Sequence, residues 1–252
     1  MKEYALITGA SSGIGREVAY RFAEKYYNLI LVARRQDRLN ALKAELEENY
    51  QVQVVVIPFD LSLTDDLADF YQLTRNYVIK YWINNAGFSI SKDLLKLSGQ
   101  DIEQMVRVND IALMTLSNLY AADYKDHEGA QLVNVSSVVG YALSEGNPLY
   151  SATKFMVSAY TEGLDHYLKV NGHAMRAKVL APAATATEFT QVAKGESKPV
   201  DYSQLYDRYH TAEQMAGFLI QLLDSSKTVA KVNLSNFQME LLNPQLPDLY
   251  DN

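Results

Sequence analysis

No cysteine occurs among the 252 residues, which excludes disulfides and thiolate metal sites and accords with a reducing compartment. Proline is sparse, at six, and nowhere gathers with glycine and serine into a linker. Repeats and low-complexity stretches are also missing, so residues 1–252 are expected to form a single domain. There is no basic block. With 23 Lys and Arg against 30 Asp and Glu, the net charge of −7 argues against nucleic acid and anionic membrane as partners. No apolar run approaches the roughly 20 residues that span a bilayer. A charged-then-apolar leader is not expected either, because Met1-Lys2-Glu3 passes at once into Tyr-Ala-Leu-Ile. These absences lead to the expectation of a cytoplasmic protein. The four histidines, His127, His166, His173 and His210, lack metal-ligand spacing, and no metal is expected.

What is present is ordinary core-forming material, 48% hydrophobic and 21% charged. Short runs rich in Val, Ile and Leu alternate with helical patterns. The strand runs are Tyr4–Thr8, Asn28–Ala33, Val52–Ile57, Lys80–Asn84, Gln131–Ser136, Met175–Ala181 and Thr228–Leu234. Between the first four lie apolar residues at helical spacing: Val18, Phe22 and Ala23; Leu39, Leu42 and Leu46; then Leu67, Phe70, Leu73 and Tyr77. Near-continuous apolar strands imply a parallel sheet covered on both faces, an α/β, Rossmann-type, doubly wound fold. Such sheets bind ligands beyond the carboxyl ends of their strands, which narrows the search to the loops that follow them.

The first of those loops reads Thr8-Gly9-Ala10-Ser11-Ser12-Gly13-Ile14-Gly15. Glycines let the backbone approach a pyrophosphate, and the helix N-terminus offers free N–H groups. An unphosphorylated ribose 2′-hydroxyl usually meets an acid roughly 20 residues past the glycines. Here Arg34 and Arg35 follow the second strand instead, and Asp37 falls too far along the next helix. Two guanidiniums suit a 2′-phosphate, or they simply open a solvated helix face with Arg38. Later strands end at Asp60-Leu61, at Asn84-Asn85-Ala86-Gly87 and at Ser136-Ser137. Tyr150 and Lys154 then stand four apart at the start of a long helix. With 18 tyrosines, about one such pair is expected by chance, so its weight lies in its position, thirteen residues after Ser137.

Taken together these residues resemble the short-chain dehydrogenase/reductase family over residues 4 to about 190. The motifs are TGASSGIG at 8–15, Asp60-Leu61, Asn84-Asn85-Ala86-Gly87, Asn109, Ser137, and Tyr150 with Lys154. The resemblance implies about seven parallel strands in the order 3-2-1-4-5-6-7. It also implies an NADP(H)-linked oxidoreductase acting on a carbonyl or alcohol, with homodimers or homotetramers common in the family. By the same resemblance Asp60 holds the adenine amino group, and Asn85, Ala86 and Gly87 back its ribose. Lys154 holds the nicotinamide ribose, and Asn109 anchors a proton-relaying water. The Ala33-Arg34 pair looks like that of NADP-preferring members, with Ser11 and Arg35 assisting, so NADP(H) is expected over NAD(H). Where the family has Pro-Gly, this chain has Pro182-Ala183, with Thr185 and Thr187 near the nicotinamide amide.

The chemistry also follows from the residues. A phenol titrates at about pH 10, too high for an efficient base at neutrality. Tyr150 shares a helix face with Lys154, whose ammonium favours phenolate, while Ser137 donates to a substrate oxygen. A 3-oxoacyl-carrier-protein reductase would share these motifs but needs a basic docking patch. A non-catalytic NADP-sensing protein typically lacks the Tyr or the Lys. Residues 188–210 are read as a substrate loop or lid, in which Tyr202, Tyr206 and Tyr209 line the substrate or face the core. Phe88, Tyr141, Leu143 and Phe189 flank the expected site as a candidate apolar pocket. The tail, 236–252, either docks on a neighbouring subunit or frays.

Overall fold

Alternate side chains of the first strand, β1 (Tyr4–Thr8), enter two different cores. That alternation is the origin of the whole architecture, because both faces of the strand must be covered. The computed structural model describes residues 2–198 and 200–247. The chain continues through α1 (Gly13–Glu24), β2 (Asn28–Ala33), α2 (Gln36–Asn49), β3 (Val54–Pro58), α3 (Leu67–Thr74) and β4 (Ile79–Asn84). Then come α4 (Gly99–Val106), a π-helical stretch at Arg107–Ala112, α5 (Leu113–Tyr124), β5 (Gln131–Val135), α6 (Pro148–Val170) and β6 (Arg176–Ala181). The remainder comprises β7 (Thr185–Ala186), α7 (Phe189–Lys194), α8 (Tyr202–Leu205), β8 (His210–Thr211), α9 (Ala212–Leu223), β9 (Val229–Val232) and β10 (Met239–Leu242).

One face of the sheet sends Ala5, Ile7, Leu29 and Leu31 against Val18 and Phe22 of α1, Leu39 and Leu46 of α2, and Leu219 of α9. The other sends Leu6, Ile30, Val32 and Trp82 against Phe70 of α3, Leu116 and Tyr120 of α5, and Leu168 of α6. Each strand residue named here is fully buried. Burial of each such leucine is worth about 2 kcal/mol, so the two cores fix the strand ends with little freedom.

The sheet order is β3-β2-β1-β4-β5-β6-β9-β10. Its first seven positions reproduce the expected 3-2-1-4-5-6-7 order, with β9 parallel to β6. An eighth, antiparallel strand was not anticipated. It arises because the chain turns back after β9, with the Asn233 N–H donating to Gln238 O (2.8 Å), and a tight turn permits only antiparallel pairing. So residues 239–242 of the tail form an edge strand, and the backbone N–H groups of Gln245 and Leu246 donate to Glu162 of α6. Residues 248–252 lie outside the described ones.

One helical expectation needs correction. The stripe holds at Leu67 and Phe70 but not at Leu73, and Tyr77 packs against the core from beyond the helix end. The helix ends at Thr74, Leu73 is 56% exposed, and Leu67, Phe70, Tyr71 and Thr74 face the core. Asn109 lies within the π-helical stretch. Such bulges occur often at functional sites because they redirect side chains. Among the described residues no helix is long and apolar enough to cross a membrane.

Candidate active site

Thr8, at the end of β1, ties two loops together. Its Oγ1 accepts from the N–H groups of Asn85 and Ala86, both at 3.0 Å, and the Asn85 side chain donates back to Thr8 O. This places the glycine loop against the segment after β4. Gly9 has φ of 68° and packs so closely that an added Cβ would meet Asn85 Nδ2 at 2.8 Å. Gly13 has φ of 55° and lies under Thr187, 3.1 Å from where its Cβ would be. Gly15 sits as near Asn85, so no side chain fits there either. Helix α1 starts here with no capping side chain at Ser12 and no acid in its first turn. Its N–H groups at Gly13, Ile14 and Gly15 are therefore available to an anion. A dinucleotide pyrophosphate fits this uncapped, glycine-lined helix end.

At the outer edge of that loop, Arg35 donates to Ser11 Oγ from Nε and Nη2, and to Ser12 Oγ from Nη2 at 2.8 Å. Its remaining nitrogen donates to Glu188 at 2.7 Å, and Arg38 donates to the other Glu188 oxygen at 2.6 Å. Burial pushes the Glu188 carboxyl up, but Arg38 and Arg35 outweigh it and hold the group down at about 2. Arg34 extends into solvent, 70% exposed, and reaches only the Asp60 carboxylate at 4.0 Å. Asp60 turns its other oxygen to the N–H and hydroxyl of Ser62, and Leu61 is buried behind it. These side chains offer a free guanidinium and two hydroxyls beside the helix end, the donor set a phosphate monoester takes.

Deeper in, the ends of β4 and β5 meet α6. Asn147 caps α6 by accepting from the Tyr150 N–H (3.1 Å), and its amide nitrogen donates to Ser89 Oγ. Pro148 follows at the first helical position, where its missing N–H is harmless. Tyr150 is thereby held in the first turn. Its ring lies with Lys154 Nζ 5.6 Å from the centroid on one side and Phe189 at 5.4 Å on another. Lys154 is buried, and Nζ donates to Val135 O at 2.8 Å. Burial pushes its ammonium down to about 8, against the pull of Asp110. Asn109 is buried too. Its amide donates to Phe88 O and to Thr153 Oγ1, and its oxygen accepts from Phe88 N. A Cβ on Gly87 would lie 3.2 Å from Asn109 Oδ1 and 3.5 Å from Lys154 Nζ, so these two groups flank the same point.

Ser137, at the N-terminus of the turn after β5, donates to Pro182 O and accepts from Val139 N. Burial raises the Tyr150 phenol above its ordinary value, while the neighbouring Ser137 hydroxyl pulls the other way. The lowering expected from Lys154 is not found: desolvation dominates, and Ser137 alone opposes it. Tyr26 and Phe237 are the only described non-glycine residues with positive φ, so Ala183 leaves β6 without left-handed backbone. Thr185 Oγ1 donates to Ala183 O, and the Thr187 hydroxyl accepts from the Phe189 N–H.

The segment beyond is pinched at its base, where Thr185 and Ala186 of β7 pair with His210 and Thr211 of β8. Of residues 202–209 only Tyr202–Leu205 is helical, so the three tyrosines do not share a helix stripe. They cluster by ring contact instead, Tyr202 against Tyr206 at 5.6 Å and Tyr209 at 5.8 Å. Tyr202 is buried and hydrogen-bonds Thr190 Oγ1 and Thr187 O.

The candidate apolar pocket does not assemble as expected. Leu143 is 94% exposed, and Tyr141 turns its hydroxyl to Glu162, which anchors the chain at 245–246. Of the four, Phe189 makes a ring contact with Tyr150. The buried Asp110, next to Asn109, escaped sequence reasoning. Both its oxygens lack a hydrogen-bond partner, and burial pushes its carboxyl up to about 7, against Lys154. Glu188 and Arg38 were missed as site residues because 150 positions separate them, and no local pattern links the two. Asn147 could have been found, since Asn before Pro at a helix start is a capping signal.

The sequence profile described as "short chain dehydrogenase" matches residues 3–197. Sulfoacetaldehyde reductase 2 of Chromohalobacter salexigens is 32% identical over 209 residues, 77% of each chain. A short-chain dehydrogenase from Sphingobium yanoikuyae, solved in complex with NADPH, is 33% identical with a TM-score of 0.83, covering 92% of this chain and 88% of its own. A short-chain dehydrogenase/reductase from Burkholderia phymatum, solved with NAD, shares the fold at 21% identity with a TM-score of 0.80, covering 91% and 88%. With the glycine loop at the end of β1 and the tyrosine and lysine on α6, the chain belongs to the short-chain dehydrogenase family of oxidoreductases, enzymes of alcohol and carbonyl groups.

Proposed function

We propose that this protein transfers a hydride between NADP(H) and a small carbonyl or alcohol, with Tyr150 giving or taking the proton. The observation that carries the reading is the convergence of Ser137, Tyr150, Lys154 and Asn109 where the carboxyl ends of β4 and β5 meet α6. Four polar groups gathered beside an uncapped helix end have no need of one another for folding.

Bound in the glycine loop, the cofactor supplies or accepts the hydride, and its oxidised ring adds a positive charge that favours phenolate. In reduction, negative charge builds on the substrate oxygen. The Ser137 hydroxyl donates to that oxygen, and the Tyr150 Oη–H delivers the proton. In the reverse direction the Tyr150 oxygen takes the alcohol proton. Lys154, pushed down to about 8, lies close enough to neutrality to exchange protons at working pH. The Asn109 side chain, fixed by Phe88 and Thr153, holds the backbone around Lys154 in place. Phe189, at the start of residues 188–210, packs against the Tyr150 ring and limits water access on that side. NADP(H) is preferred because the exposed Arg34, paired only at 4.0 Å with Asp60, and Arg35 on Ser11 follow β2, with no acid in the place where a 2′-hydroxyl is usually held.

The test is a panel of aldehydes and ketones in which NADPH absorbance is followed, with NADH in parallel. The expected outcome is turnover with at least one carbonyl, at about tenfold higher affinity for NADPH. NADPH binding without turnover across the panel would contradict catalysis, and equal affinities would contradict the cofactor preference.

A further inference from the structure

Glu188 is the first residue of the covering segment, and both of its oxygens are engaged by guanidiniums of the α2 start. Arg35 Nη1 lies 2.7 Å from one oxygen and Arg38 Nη1 2.6 Å from the other. Arg35 also holds the hydroxyls of Ser11 and Ser12, so the carboxylate sits one residue's reach from the loop that takes phosphate. The three charged side chains are 34–45% exposed, open to an incoming anion. Arg34 has no comparable partner, and its contact with Asp60 is at 4.0 Å. The rim therefore contains three arginines, of which two share a single tethered carboxylate.

We propose that Glu188 is a built-in competitor for the 2′-phosphate of the cofactor, occupying guanidiniums that the phosphate would otherwise engage and thereby setting the strength of NADP(H) preference. The inference rests on reading the chain as NADP(H)-linked. A carboxylate and a phosphate monoester seek the same fork of N–H donors, and the phosphate carries the larger charge. Tethering gives the carboxylate a high effective concentration, so the phosphate meets a filled site rather than an open one. Phosphate capture of Arg35 detaches Glu188, and with it the neighbouring Phe189, whose ring lies 5.4 Å from that of Tyr150. Cofactor carrying a 2′-phosphate thus loosens the side chain over the tyrosine, and cofactor without it leaves the clasp closed.

The test is binding of four probes to the wild type and Glu188→Gln by calorimetry: NADPH, NADH, adenosine 2′,5′-bisphosphate and adenosine 5′-monophosphate. The last two carry the phosphates without the nicotinamide, so they do not report on Tyr150. The expected result is about fivefold to tenfold tighter binding of NADPH and the bisphosphate to the variant, with NADH and the monophosphate unchanged. Glu188→Ala gives the same selective gain should the glutamine variant melt early. An equal change for all four probes, or no gain for the bisphosphate, overturns the competition and leaves Glu188 a structural tie. Equal wild-type affinities for NADPH and NADH contradict the cofactor reading alone, because the selective gain in the variant is read independently of them.

Discussion

The two ends of the candidate site are built on opposite principles. Around α6, Lys154 and Asn109 are buried and their polar atoms engage fixed partners: Val135 O for Lys154, Phe88 and Thr153 for Asn109. At the rim, Arg35 and Arg38 meet Glu188 and Arg34 faces Asp60, in partly exposed ion pairs that salt and ligands can rearrange. Proton transfer needs groups held to within fractions of an ångström, which burial supplies. Cofactor exchange needs contacts that can be broken each cycle. Substitutions on the inner side should therefore change rates and pH behaviour, and those on the rim should change affinities.

After Tyr150 itself, the largest effect that would sharpen this contrast is at Ser137. Replacing it by alanine removes a donor to the developing oxyanion, and kcat should fall about a hundredfold with cofactor affinity unchanged. A change in cofactor affinity with kcat intact would move Ser137 to the binding side and break the contrast.

Next comes Asp110, whose buried carboxyl is pushed up to about 7. Its unfolded value is near 3.8, so between those limits the folded chain binds more protons than the unfolded chain. Stability is then lost as pH rises through that window, and above 7 a charge sits buried without a hydrogen bond. In Asp110→Asn this slope disappears. Measured by urea unfolding at pH 5 and 8, the variant should gain about 2 kcal/mol on the wild type between the two. A pH-independent difference would mean that the carboxylate is better solvated than its burial indicates.

On the rim, Arg34→Gln should weaken NADPH about tenfold, or about 1.4 kcal/mol, and leave NADH unchanged. Equal weakening of both would show that Arg34 serves the adenine or the loop rather than the 2′-phosphate. The smallest effect is expected at Tyr202. Tyr202→Phe removes its hydrogen bonds to Thr190 and Thr187, about 1 kcal/mol, lowering Tm by about 3 °C. An unchanged Tm would mean that the ring contacts alone hold the covering segment.

The sequence made the strand ends legible because each is a short apolar run closed by polar or glycine residues, as at Thr8-Gly9 and Asn84-Asn85. Position along the sheet then assigned the loops, and Thr8, Asn85 and Gly9 do meet in space. What escaped was decided by tertiary contact. The antiparallel β10 depends on a turn at 233–238, and its flanking strand carries no stronger pattern than a tail would. The π-helical stretch at Asn109 inserts one residue into a helix whose local sequence reads as regular. Asp110 looks like any surface acid until the packing of α5 and α6 closes over it. The Glu188 clasp joins two segments that share no local signal at all.

The central claim is that Tyr150 transfers the proton while the rim only binds. Its most direct test is Tyr150→Phe, assayed with any carbonyl the wild type reduces, alongside NADPH binding and thermal melting. The account predicts a loss of kcat on the order of a thousandfold, with NADPH affinity and Tm within error of the wild type. Retention of wild-type kcat by the folded, cofactor-binding variant would contradict it.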